Sequence, residues 1–407
     1  MQKFRIFDGD VTSARGFKAS GVYAGIKKKI KSDMTIIYSD VLANAAAVFT
    51  KNKVCAAPVV ISKEHVKNGK IQAVVVNSGN ANACTGDVGL KDATTMAEKT
   101  AKVLNIQKED VIVSSTGVIG VTMPMENVTK GIELAAEVLN YEGGQQAAEA
   151  ILTTDTCKKH IGVEIEIDGK KVTIGGIAKG SGMIHPNMAT MLGIITTDVN
   201  IDGAFLNELL QETTKDTYNM ITVDGDTSTN DMVCVLANGM AENEEMNKNH
   251  NEAEKFIEAF KYVNEYLAKS IVFDGEGATK FIEVEVVNSL TKDDARFAIK
   301  SVLTSNLVKT AFFGEDGNWG RIVAAVGYSE ANFDVEKTDV YLKSNGGTVK
   351  IFEQGQGAVY EEADVAKILK YKEIQVLIDF NLGKEKAIGW GCDLSYDYVK
   401  INGSYRS

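Results

Sequence analysis

Proline, histidine and paired cysteine are scarce in this chain of 407 residues, and each scarcity removes a class of protein. Only three prolines (Pro58, Pro124, Pro186) punctuate it, and no internal repeat or low-complexity stretch occurs, which excludes a repeat architecture. The five cysteines (Cys55, Cys84, Cys157, Cys234, Cys392) are odd in number, widely scattered and without a CxxC pair. Neither a disulfide framework nor a cysteine zinc site is therefore indicated. The four histidines (His65, His160, His185, His250) lack HExxH or any comparable ligand spacing, so no metal is expected. No apolar run approaches the roughly 18 residues of a membrane span. Positive charge is also in deficit. A net charge of −11 argues against nucleic acid or an anionic membrane surface as the main partner. The opening MQKFRIFDGD turns acidic too early for a signal peptide, and a cytoplasmic enzyme is expected.

What is present is ordinary for a soluble globular protein: 44% hydrophobic and 24% charged residues, in a length that allows two or three domains. The pattern predicts strands at Ile71–Asn77, Asp110–Ser115 and Met232–Ala237. Helical spacing covers Leu90–Leu104, Glu126–Leu139, Gln145–Leu152, Ala204–Tyr218 and Glu252–Ser270. Val163 to Ile177 reads as a hairpin turning at Asp168-Gly169. The polar stretch Asn288–Asp293 predicts a boundary between a core of residues 1–287 and a smaller C-terminal domain of residues 288–407. In that second domain short strands (Val340–Ser344, Thr348–Phe352, Gln375–Phe380, Lys386–Trp390) surround a helix at Glu361–Leu369. The class is α plus β.

The chemistry concentrates in residues 179–198, KGSGMIHPNMATMLGIITTD. A loop rich in glycine feeds directly into the apolar run Met191–Ile195, which predicts a buried strand with Thr190 at the junction. That placement suits an N-terminal nucleophile. The chain would cut itself between Ala189 and Thr190, and the new α-amino group would serve as the base for the hydroxyl. Such an amine has an ordinary pKa of about 7.7–8, close to working pH. Structural threonines at such junctions are common, so the residues alone leave both roles open. The strand-ending turn Ser114-Ser115-Thr116-Gly117 is open in the same way, between an oxyanion hole and a plain turn. His185 adjoins the cut, but an α-amino base makes a histidine unnecessary.

Nine segments, from one end of the chain to the other, decide between these readings. They are GVYAGIK (21–27), AAAVFTKNKVCAAPV (45–59), VVVNSGNANACTG (74–86), SSTGVIG (114–120), the segment 179–198, TVDGDTSTND (222–231), FDGEGATKF (273–281), GEDGNWGRI (314–322) and GWGCDLSYDYVKINGSYR (389–406). In this order they resemble the glutamate N-acetyltransferase / ornithine acetyltransferase family of arginine biosynthesis. The resemblance implies a four-layer αββα sandwich like that of N-terminal-nucleophile hydrolases, with distinct connectivity. It implies Thr190 as nucleophile, cleavage between Ala189 and Thr190, and an oxyanion hole from the Thr116 side chain and the Gly117 backbone. Substrate contacts carried over are Thr153, Lys179, Thr190, Glu276, Asn402 and Ser407. Thr154 adjoins Thr153 and is not separable from it by sequence. The implied reaction moves acetyl from N2-acetyl-L-ornithine to L-glutamate, with no cofactor; acetyl-CoA is a second donor for some members. The implied assembly is α2β2.

Glycine-rich stretches elsewhere match no ligand motif. GGIAKGSG (175–182) has its lysine ahead of the glycine, unlike a phosphate loop, and DGDTSTND (224–231) lacks the glycine and glutamate of a calcium loop. NSGNANACTG (77–86) reads as a tight structural loop beside the active site. Two rivals remain: a self-processing aminopeptidase or amidase, which would release acetate, and a non-catalytic amino-acid-binding protein.

Overall fold

In the computed structural model of the protein, residues 4–185 and 191–404 are described. The strands are β1 (Arg5–Phe7), β2 (Phe17–Val22), β3 (Met34–Phe49), β4 (Lys70–Asn80), β5 (Val111–Val118), β6 (Lys159–Ile167), β7 (Lys170–Lys179) and β8 (Leu192–Thr197). They continue as β9 (Ile221–Thr222), β10 (Met232–Ala237), β11 (Phe281–Ser289), β12 (Asp339–Ser344), β13 (Gly347–Glu353), β14 (Gln356–Gly357), β15 (Glu373–Asp379) and β16 (Glu385–Cys392). The helices are α1 (Ala57–His65), α2 (Gly86–Leu104), α3 (Met125–Glu137), α4 (Gly144–Ala150), α5 (Gly203–Asp216) and α6 (Ala253–Phe273). After them come α7 (Lys292–Thr304), α8 (Asn306–Phe313), α9 (Trp319–Gly327), α10 (Glu362–Leu369) and α11 (Tyr396–Gly403). No helix among the described residues is long and apolar enough to cross a membrane.

Contacts divide the chain into two units. The first comprises residues 1–180, 186–218 and 227–271, and the second residues 181–185, 219–226 and 272–407. In the first unit, nine strands run in the order β1-β6-β7-β8-β10-β3-β4-β5, with β2 paired to β3. The long β3 carries the sheet around a corner. Its first half pairs with β2 and β4, its second half pairs with β10, and the register breaks between Tyr38 and Ala43. A bulge of this kind bends a strand and lets one sheet fold over itself.

Side chains then sort by strand alternation. Ile36, Ala73, Val75, Val111 and Val113 face Met96, Ala97 and Ala101 of α2 and Val128, Ile132 and Ala135 of α3. The opposite face, with Ile37, Val74, Val76 and Ile112, packs on Ile177, Leu192, Ile194, Met232, Cys234 and Leu236 of β7, β8 and β10. Beyond that second layer, Val263 and Leu267 of α6 fill the space over Gly176 of β7, and α5 packs on β3. The four expected layers, helix, sheet, sheet and helix, are thus laid down by period-two burial. Strands β8 and β10 are buried at every residue, which is why they read as continuous apolar runs.

The hairpin between β6 and β7 turns at Asp168 (φ +51°) and Gly169 (φ +68°), as the dipeptide predicts. The second unit is a seven-stranded sheet, β14-β13-β12-β15-β11-β16-β9, with α7 packed on β11 and β16. The polar stretch Asn288–Asp293 lies inside this unit, running from the end of β11 into the first turn of α7; the division by contacts falls between Ile271 and Val272. Its polarity is that of a helix cap. The Thr291 hydroxyl accepts from the Asp294 N–H at 3.0 Å and donates to the Asp294 carboxylate at 2.5 Å.

Two substitutions separate core from cap. Ile194→Ala, at a fully buried position between the two sheet layers, should cost roughly 2–5 kcal/mol in chemical denaturation. Asp202→Ala, which removes the carboxylate accepting from the Phe205 N–H at 2.8 Å, should cost about 1 kcal/mol.

Candidate active site

Ala189, Thr190 and Ser407 lie outside the described residues. The remaining predicted residues fall into two groups, one in each unit.

In the first unit, β7 ends at Lys179, β5 carries Thr116 and Gly117 near its end, and Thr153 sits in the turn after α4. The structure brings three of these side chains together. Lys179 Nζ donates to Thr153 Oγ1 at 2.8 Å and to Thr116 Oγ1 at 3.4 Å, and Lys179 is 93% buried. Of the two adjacent threonines, Thr153 bonds Lys179. Because Thr116 accepts from the lysine, its own proton is left to donate, and a hydroxyl donor beside a cation suits a developing oxyanion. Gly117 has φ +136°, and a Cβ there would come within 2.3 Å of the Gly79 carbonyl carbon. No other residue fits this strand end without displacing backbone.

Two asparagines hold the same strand end. Asn77 Oδ1 accepts from the Ser115 hydroxyl at 2.6 Å, and Asn230 Nδ2 donates to the carbonyls of Ser115 at 2.9 Å and Ala81 at 2.6 Å. The asparagine-rich loop before α2 is structural, as its composition predicts: Asn82 donates to the Gly89 carbonyl and accepts from the Thr85 hydroxyl.

Three charged residues here escape sequence reasoning. Asp155 has no exposed side-chain surface, and Lys159 Nζ donates to it at 2.8 Å. The N–H groups of Gly180 (2.6 Å) and Thr153 (3.0 Å) also donate to its carboxylate, and Lys179 Nζ stands 3.7 Å away. Burial alone would raise this carboxyl, but the charges of Lys179 and Lys159 outweigh it and hold it well below the usual range. Lys27 is half-buried, and burial draws its ammonium down to about 8, with Asp33 opposing and Lys179 adding to the shift. Asp231 is buried ahead of β10 with Oδ2 unpartnered, and burial pushes its carboxyl well above the usual range. Lys27 ends GVYAGIK and Asp231 ends TVDGDTSTND, while Asp155 lies outside the nine segments; nothing local marks any of the three as buried and charged.

In the second unit, Glu276 is buried and accepts from Asn402 Nδ2 at 2.8 Å, so these two predicted residues are brought together. The Glu276 N–H donates to the Ser181 carbonyl at 2.8 Å. Asp224 accepts from the N–H groups of Met183 (2.6 Å) and Ile184 (2.9 Å) and from the Tyr398 hydroxyl (3.2 Å). His185 Nδ1 lies 3.2 Å from Thr222 Oγ1. Burial, reinforced by the charge of Lys300 and opposed by Asp224, lowers its imidazole to about 4, so it is neutral at pH 7. Among the described residues, no group of three or more His, Cys, Asp or Glu is arranged to hold a metal ion.

The sequence profile of the ArgJ family matches residues 18–407. The chain belongs to the ArgJ family. It is 57% identical over 402 residues to the arginine biosynthesis bifunctional protein ArgJ of Caldanaerobacter subterraneus subsp. tengcongensis, covering 99% of this chain and 100% of that protein. The ArgJ protein of Listeria monocytogenes serovar 1/2a is 48% identical over 405 residues, covering 99% and 100%. Among solved structures, ornithine acetyltransferase from Mycobacterium tuberculosis, complexed with ornithine, is similar at 36% identity and TM-score 0.43. That likeness covers 46% of this chain and 100% of that one.

Two predictions test the site of this ArgJ-family chain. Gly117→Ala, whose Cβ would come within 2.3 Å of the Gly79 carbonyl carbon, should displace the end of β5 and lower kcat/KM for acetyl transfer by about 100-fold. The second concerns His185, whose folded-state value of about 4 lies below the ordinary 6.5. The unfolded chain binds its proton more readily, so this residue's contribution to stability is present above pH 6.5 and is lost as pH falls towards 4. His185→Gln should therefore show a smaller drop in melting temperature than the parent chain across that window.

Proposed function

We propose that the chain transfers an acetyl group from N2-acetyl-L-ornithine to L-glutamate through an ester on Thr190. Membership of the ArgJ family over residues 18–407 gives the class, an acyltransferase of arginine biosynthesis. The observation that carries the reading further is the lysine–threonine cluster: one buried cation, Lys179, bonded to the hydroxyls of Thr153 and Thr116.

The cycle begins with self-cleavage. The Thr190 hydroxyl attacks the Ala189 carbonyl, the resulting ester is hydrolysed by water, and Thr190 becomes the first residue of a second chain with a free amine. That amine takes the hydroxyl proton as Thr190 attacks the acetyl carbon of acetylornithine. The tetrahedral oxyanion rests on the Thr116 hydroxyl and the Gly117 N–H, and ornithine leaves with the proton. Glutamate then attacks the ester through its amine, giving N-acetyl-L-glutamate and free Thr190. Lys179 is assigned to the substrate carboxylate with Thr153 beside it, Glu276 to the substrate's ammonium group, and Asn402 and Ser407 are the contacts from the C-terminal tail. Acetyl-CoA is the alternative donor to assay beside acetylornithine. The two chains stay associated because β8, which starts just after the cut, pairs with β7 of the first chain, and β10 pairs with β3 of the first chain; the assembly proposed is α2β2, in the cytoplasm.

Intact mass under denaturing conditions with N-terminal sequencing should give chains of residues 1–189 and 190–407. Thr190→Ala should stay uncut and inactive, and acetyl exchange by that variant would overturn the nucleophile. Acetylornithine with glutamate should yield acetylglutamate; free acetate alone would favour the hydrolase instead.

A further inference from the structure

We propose that Asp155 is the positioning residue of the carboxylate-binding side of this site: it fixes where Lys179 points and, with it, the hydroxyl of Thr153. The inference rests on the reading of Lys179 as the contact for the substrate carboxylate. A lysine side chain is long and freely rotating, so a lysine that must meet a carboxylate at one place needs an external anchor. Asp155 supplies anchors on both partners. Its carboxylate accepts from the N–H of Gly180, the residue that follows Lys179, and from the N–H of Thr153, whose hydroxyl Lys179 bonds. One buried carboxylate thereby ties the end of β7 to the turn after α4.

The plainer account makes Asp155 the partner of Lys159 and nothing more. That pair, at 2.8 Å and with both side chains buried, is electrically complete by itself. Lys179 stands farther off, at 3.7 Å, and shares a carboxylate that Lys159 already engages. It is held but not neutralised, so its charge remains available to an incoming anion. The other charged groups facing it add to this bias: Lys27 contributes a further positive charge, and Asp231 is pushed towards its neutral form. The cluster thus suits a substrate that brings its own carboxylate.

The test is the double variant Asp155→Asn/Lys159→Met, which removes the anchor without leaving Lys159 buried beside an uncharged partner. It should melt close to the parent chain, be processed to the same two chains, and show a KM for N2-acetylornithine about tenfold higher, the scale of one charged hydrogen bond, with kcat changed by less than about threefold. Calorimetric titration with ornithine should weaken by the same factor, a readout that needs no turnover. Should the double variant melt early, Asp155→Glu, which keeps the charge but shifts it by one methylene, should raise KM by a smaller factor than tenfold. A processed, folded variant with parental KM and ornithine affinity would overturn the proposal, as would a loss confined to kcat. Failure of the parent chain to exchange acetyl at all would count against the reading of function, while the ornithine titration would still judge Asp155.

Discussion

The first unit depends on two sheet layers burying their faces against each other. Ile37, Val74, Val76 and Ile112 on one side meet Ile177, Ile194, Cys234 and Leu236 on the other, all without solvent exposure or nearly so. Because side chains alternate along a strand, slipping any of these strands by one residue would turn its apolar set outwards. Register is therefore fixed by burial. The positions where β5 and β7 end follow from it, and those ends carry Thr116, Gly117 and Lys179.

That rigidity lets a polar cluster exist in a poorly solvated place. Lys159, Lys179 and Asp155 could not be buried singly at tolerable cost, but together they satisfy one another and two backbone N–H groups. Asp231 shows the contrary case. It is buried with one carboxylate oxygen unpartnered, and burial pushes its carboxyl well above the usual range.

What could be read from the sequence was what depends on near neighbours. The turn at Asp168-Gly169, the buried run that became β8 and the helices α2 to α6 follow from local spacing and backbone preference. β3 did not, because its bulge interrupts alternation and half the residues of its second half are alanine. Asn288–Asp293 is ambiguous locally, because a helix cap and a linker draw on the same polar residues. At the site, resemblance supplied Thr116, Gly117, Thr153, Lys179, Glu276 and Asn402. Asp155 is not legible locally: its neighbour Lys159 could be any i,i+4 surface pair, and the partners that place it at the site, Gly180 and Lys179, are more than twenty residues away.

Unit membership changes several times along the chain. Residues 181–185 and 219–226 belong with the last third of the protein, although they are made before it. β9 lies in the second of these segments, and its sheet neighbour is β16, near the other end of the sequence. A ribosome therefore releases β9 long before anything exists for it to pair with. The order of synthesis and the order of assembly must differ in this protein: the first unit has all its residues once Ile271 is made, while the second cannot close its sheet until Cys392 has emerged.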